Sequence, residues 1–181
     1  MSETLARYRK LADDLTARVE AVPAGAWSNP SPCEGWSALD VMDHVIGNAR
    51  AGVNRLHGRE HEERKVSDVP KEWAEARAEV EAALADPALA GAVQETPLGS
   101  MPYEVFVGRL QCMDMLIHTW DVARATGGDE NVDAEIAAGA LSGLKPMDAM
   151  LRRPGLFGPA VEPPAGADPV TELMCFVGRQ V

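Results

Sequence analysis

The segment from Pro102 to Thr126, PYEVFVGRLQCMDMLIHTWDVARAT, followed by Gly127 and Gly128, carries the strongest helical signal in the chain. Tyr103, Phe106, Leu110, Met113 and Ile117 recur at spacings of three and four. That pattern predicts an amphipathic helix with its apolar stripe turned toward a core and the two glycines as its stop. Asp114, His118 and Asp121 stand at i, i+4 and i+7 and so share a face, and at about 100° per residue that face runs along or beside the apolar stripe. Two carboxylates and an imidazole turned toward a core are costly unless hydrogen bonds, mutual pairing or a metal ion satisfy them. Spacing alone leaves these answers open.

Working outward, Leu5, Tyr8, Leu11, Leu15, Val19 and Val22 form a helical stripe behind an N-cap at Ser2, ending at Pro23 and Gly25. Residues 23–36, with three prolines and two tryptophans, read as an ordered loop. Ser37 and Asp40 form a capping-box pattern that opens a second helix with stripe Leu39, Met42, Ile46, Ala49, Val53 and Leu56. Arg59 to Val69 is charged, lacks periodicity and reads as an exposed connection. Pro70 suits the first turn of a third helix bearing Trp73, Ala76, Val80 and Leu84, closed by Asp86 and Pro87. Residues 87–101 are weakly patterned, with turn signals at Thr96 to Gly99 and at Met101 and Pro102.

Beyond the quoted segment, Asp133 caps a helix carrying Ile136, Ala140, Leu144 and Met147, in which Pro146 predicts a kink or break. The stretch from Pro154 to Pro169 reads as a fixed surface loop, and Val170 to Val177 as a short closing helix. Five or six helices with almost no alternating segments predict an all-α bundle forming a single domain over residues 1–181.

Composition narrows the partners. The 181 residues are 46% hydrophobic and 25% charged, enough for a core without staples. Three scattered cysteines do not make a disulfide framework and suit a reducing cytoplasm. With 17 basic against 28 acidic residues, the formal charge is −11, the wrong field for a phosphate backbone, so nucleic acid is not expected. No apolar run is long enough for a membrane span, and the charged N-terminus lacks the pattern of an export signal.

An i, i+4 carboxylate and histidine can hold one side of Zn²⁺, Ni²⁺ or Fe²⁺, with the other ligands drawn from a second helix. Of the four histidines, His57 and His61 lie at a helix end and in the charged connection. His44 sits in mid-helix but nearly opposite the apolar stripe, so its spacing alone reads as a surface position. Asp121 is either a ligand or a group that orients His118.

Three blocks of residues go further. Pro32 to Ser37 (PCEGWS) leading into Val41 to His44 (VMDH), Leu116 to Gly127 (LIHTWDVARATG), and Phe176 to Arg179 (FVGR) together resemble the metal-binding family related to mycothiol-dependent maleylpyruvate isomerase. That family lies within the DinB-like superfamily, and the likeness spans Trp27 to Arg179. It implies a DinB-like four-helix bundle with a long crossover between the second and third main helices, which suits Arg59 to Val69, and additional short C-terminal helices. It further implies a divalent metal held by His44, Asp114 and His118, with Asp114 departing from the glutamate common at that position.

The resemblance also implies that open metal positions bind the sulfur of a low-molecular-weight thiol such as mycothiol. The expected activity is that of a thiol S-transferase or isomerase acting on a small electrophile, with neither membrane nor nucleic acid as partner and a monomer or homodimer as the assembly. The alternative is a metal- or ligand-binding protein without catalysis, since the full isomerase has a further C-terminal domain for which this chain has no room. Arg124 is a candidate for binding a carboxylate of thiol or substrate, or is a surface arginine near a helix end. Cys33, ahead of the second helix, is a candidate nucleophile or nearby ligand, or is buried packing. Trp36 and Trp120 are candidates for the pocket wall, or are core filling.

Overall fold

In the computed structural model, residues 2–60, 64–96, 99–152 and 156–181 are described. His61, the Pro97 and Leu98 turn, and Pro154 lie outside the described residues. Four long helices make the body: α1 (Glu3–Ala21), α2 (Ala38–Leu56), α3 (Val69–Ala85) and α6 (Cys112–Thr126). Each starts or stops where its chemistry says. Ser2 caps α1, Asp68 caps α3 with proline in its first turn, Ser37 and Asp40 close a reciprocal capping box on α2, and α6 ends at Gly127.

The four pack as a closed ring in which α1 touches α3 and α6, and α2 touches α3 and α6. Ion pairs Arg9–Glu81 and Arg77–Asp13 run α1 antiparallel to α3. Gln111 bonds the Asn48 carbonyl while His44 meets Asp114, so α2 and α6 are antiparallel. Arg50–Glu72, one turn or two along from the Asp43 bond to the Val66 amide, sets α2 and α3 parallel. The order is therefore up, down, down, up.

Parallel neighbours need a long connection, and the chain after α2 returns along that helix to begin α3. Most of its described residues are exposed, as expected, yet the return is pinned to α2 and α3. Lys65 bridges Asp40 and Asp43, Val66 is buried, and Glu72 accepts from the Ser67 and Asp68 amides while pairing with Arg50 and Arg64. Hydrogen bonds from the Ser67 amide and Arg50 hold the Glu72 carboxyl at about 2.

Between α3 and α6 a short helix α4 (Pro87–Ala90) leads into an antiparallel hairpin, β1 (Val93–Thr96) with β2 (Gly99–Pro102), where the sequence showed only turn signals. The strands are four residues each and bury only Gln94, so they have no apolar alternation to read.

The quoted segment also departs from a uniform helix. α5 (Tyr103–Phe106) passes through a π turn (Val107–Gln111) into α6. The wider turn advances the helical phase by about one residue, or 100°. As a result Leu110 and Met113, expected in the stripe, are only partly buried, while Gln111, Cys112 and Met115 point inward. Gly52 lets α2 approach this turn, since a Cβ there would lie 3.0 Å from Gln111 Nε2 and 3.1 Å from Phe106.

After α6, α7 (Ala134–Leu144) yields at Pro146 to a 3₁₀ turn and then α8 (Asp148–Leu151), the break predicted there. α9 (Pro169–Phe176) packs against α7, and both join the one hydrophobic cluster that fills the bundle. Past α9, Gly178 adopts φ +90° with the Gly158 and Pro159 backbone 3.0–3.3 Å from where a Cβ would stand. That turn sends Arg179 inward. Among the described residues no helix is long and apolar enough to cross a membrane.

Candidate functional site

The antiparallel contact of α2 with α6 brings His44, Asp114 and His118 together. Asp114 Oδ1 lies 3.3 Å from His44 Nε2 and 3.3 Å from His118 Nε2, and one donor atom from each residue falls within 4.8 Å of the others. The π turn is what turns Asp114 and His118 toward α2. His44, which its helix wheel places on the surface, is one-third exposed because it opens into a cleft.

That cleft has a volume of about 690 Å³ and is walled by Trp36, His44, Asn48, Arg50, Arg64 and Lys65 among others. Its cations are already paired, Arg50 and Arg64 with Glu72 and Lys65 with Asp40 and Asp43. The loop before α2 is fixed by the Ser31 amide bonding the Trp36 carbonyl and the Ala38 amide bonding that of Asn29. It presents the Trp36 ring 5.2 Å from His44 and 6.3 Å, nearly parallel, from His118.

Behind His118 lies a second layer. Asp121, fully buried, sits 2.9 Å from His118 Nδ1. Arg179 donates to both Asp121 oxygens, at 3.0 and 2.8 Å, and to Cys33 Sγ at 3.0 Å. Cys33 Sγ is in turn 3.3 Å from Asp121 Oδ2. A carboxylate on Nδ1 fixes the ring orientation and leaves Nε2 to face Asp114.

Electrostatics agree with this geometry. Burial alone would discharge both His118 and Asp114. Their mutual attraction and hydrogen bonds outweigh it, holding His118 well above the ordinary imidazole value and Asp114 well below the usual carboxylate range. Asp121 is likewise held low against burial by hydrogen bonds from His118 and Arg179.

Neutral His118 with Nδ1–H on Asp121 would set a bare Nε2 lone pair against a carboxylate. The contact therefore calls for a cation, either a proton or a metal. Separations of 3.3 Å match the edge of a tetrahedron with about 2.0–2.1 Å bonds, the geometry of zinc with nitrogen and oxygen ligands. The donor set fits a borderline divalent ion.

Trp120 and Arg124 fall outside this cluster. Trp120 is buried in the core, with the Arg124 guanidinium 4.8 Å from its ring centre and Arg124 also paired to Glu130. Neither lines the cleft. Two residues that sequence reasoning left without a role belong to the cluster. Asn48 Nδ2 lies 2.9 Å from His44 Nε2 and 3.3 Å from Asp114 Oδ2, and its i+4 spacing from His44 was the available signal. Arg179 lies in a block quoted for the resemblance, yet only the fold shows that it faces Asp121.

An up, down, down, up bundle with two histidines and a carboxylate converging between its second and fourth long helices defines the DinB-like class. Within it, the chain belongs to the family described as the mycothiol maleylpyruvate isomerase N-terminal domain, which matches residues 8–123. Two proteins of Mycobacterium tuberculosis, from strains CDC 1551 / Oshkosh and H37Rv and both described as uncharacterized, are each 31% identical over 99% of this chain and 99% of their own length. No solved structure gives a significant match.

Proposed function

We propose that the protein binds a divalent metal ion through His44, Asp114 and His118 and acts on a low-molecular-weight thiol, as a thiol S-transferase or isomerase for a small electrophile. The observation that carries this reading is the convergence of three donor atoms between α2 and α6, one of them on His44 in the wall of an open cleft, with Asp121 fixing the His118 ring behind it. The family supports a thiol of the mycothiol type.

Zinc, nickel or iron held there supplies a Lewis acid that lowers the pKa of a bound thiol. The chain's own residues do the rest. Asp121 and Arg179 keep His118 in one orientation, Asn48 donates to Asp114 Oδ2, and Trp36 gives the cleft an aromatic wall against which a small substrate can pack. Cys33 is held on Arg179 beside this layer rather than among the three ligands, so we assign it a supporting place and not that of the nucleophile.

The test is elemental analysis of the purified protein followed by zinc titration, then X-ray absorption with mycothiol and other thiols added. One metal per chain and a new metal–sulfur distance are expected. Metal binding without sulfur ligation by any thiol would leave a metal-binding protein that does not use thiols, and a chain that takes up no zinc or nickel would overturn the reading altogether.

A further inference from the structure

Below the ligand cluster, all four long helices meet at a second, much smaller void. It is lined by Tyr8 from α1, Asn48 from α2, Trp73 from α3, and Asp114 and Met115 from α6, together with Gln111 from the π turn. Its volume is about 10 Å³. That is room for one water and for no larger ligand.

Val45, Ala49, Trp73 and Met115 make much of the lining apolar, but polar atoms sit among them. Tyr8 is 2% exposed and Gln111 7%, and among the described residues neither the Tyr8 hydroxyl nor Gln111 Oε1 has a hydrogen-bond partner. Gln111 spends its amide nitrogen on the Asn48 carbonyl, 2.9 Å away, so its orientation is fixed with the oxygen left over. Buried polar atoms without partners are rare in native proteins because each forfeits its hydration. Here a donor and an acceptor from different helices line one water-sized space, with the Asp114 carboxylate on its wall. A dry cavity of this size would be lined by aliphatic groups.

We propose that this void is a built hydration site holding a single ordered water, which accepts from Tyr8 Oη and donates to Gln111 Oε1 and to Asp114. The water fixes Asp114 from the core side, as Asn48 does from the side of α2. The π turn is what makes the site possible, because it carries Gln111 inward in the place a uniform helix gives to Leu110. The hydration itself stands independently of the metal; its effect on metal affinity rests on the reading given above.

A crystal structure of the full chain at better than about 1.8 Å should show one water within hydrogen-bond reach of Tyr8 Oη and Gln111 Oε1. An empty void there overturns the proposal. Tyr8→Phe gives a second, opposite-signed test. If the hydroxyl holds a water, its removal breaks a network and lowers the melting temperature by about 2–4 °C. If the hydroxyl is unsatisfied, phenylalanine relieves it, and a raised or unchanged midpoint overturns the proposal.

In the zinc-titrated protein, Tyr8→Phe should weaken zinc about tenfold, the scale of losing a group that supports a ligand. Unchanged zinc affinity with the water present would overturn the coupling to Asp114. Failure of the unmodified chain to bind zinc would sink the metal reading instead, leaving hydration to be decided by the crystal and the midpoint.

Discussion

His118 is held at both ring nitrogens, by Asp121 on one side and Asp114 on the other, so its loss takes away one donor and also a partner of two carboxylates. His118→Ala should abolish zinc binding, and His44→Ala should weaken it severely, both read as zinc per chain after dialysis. Full stoichiometry in the His44 variant would show that α2 contributes no ligand. The same double hold fixes the sign of the pH response. In the metal-free protein His118 titrates above the ordinary imidazole value of about 6.5, so its stabilising contribution is complete below about pH 6.5 and is lost as pH rises through the folded value. Asp114 and Asp121 titrate below 3.8, so theirs is present above that value and is lost as pH falls through their folded ones. Zinc bound there would displace the His118 proton, so its affinity should rise with pH, and calorimetry in buffers of different ionisation enthalpy should detect about one proton released per zinc near neutrality. That Asp114 and His118 share an inward-turned face was legible from spacing, while what satisfies them there was left open. The place of His44 was not legible, because a helix wheel cannot separate a residue facing solvent from one facing a cleft.

At the scale of elements, helix starts were legible where a capping side chain or a first-turn proline marks them, as at Ser2, Ser37, Pro70, Asp133 and Asp168. Two elements were not. The hairpin is held by backbone pairing with little apolar content, and the π turn is a change of phase that no single residue announces. That phase can be tested by removing exposed Arg109 from the π turn. The deletion should restore a uniform helix and rotate Asp114 and His118 by about 100° relative to Tyr103 and Phe106. The expected outcome is a chain still helical by circular dichroism that no longer binds zinc. Retained zinc affinity would mean that the ligand half of the helix is positioned by α2 and not by the turn.

For the whole molecule, the all-α class and the crossover followed from periodicity and from the family resemblance, whereas the way the crossover is fastened did not. Glu72 of α3 collects its partners from α2 and the connection, a convergence that exists only once the bundle has formed. Because the ligands join α2 to α6, metal binding should stabilise the entire bundle. At free zinc one hundred times its dissociation constant, the gain is about 2.7 kcal/mol, or roughly 5–10 °C in midpoint for a chain of this length, measurable by thermal melts with and without zinc.

His44 and Asp114 stand 70 positions apart, on either side of the crossover, α3 and the hairpin. Bringing them together closes a long loop, and contacts of that kind tend to follow local helix packing. An ion held by contacts that are absent from the folding transition state leaves refolding speed almost untouched and slows unfolding. For this protein the metal would set the lifetime of the native bundle, and so its resistance to processes that wait for it to open, rather than the time the chain needs to fold.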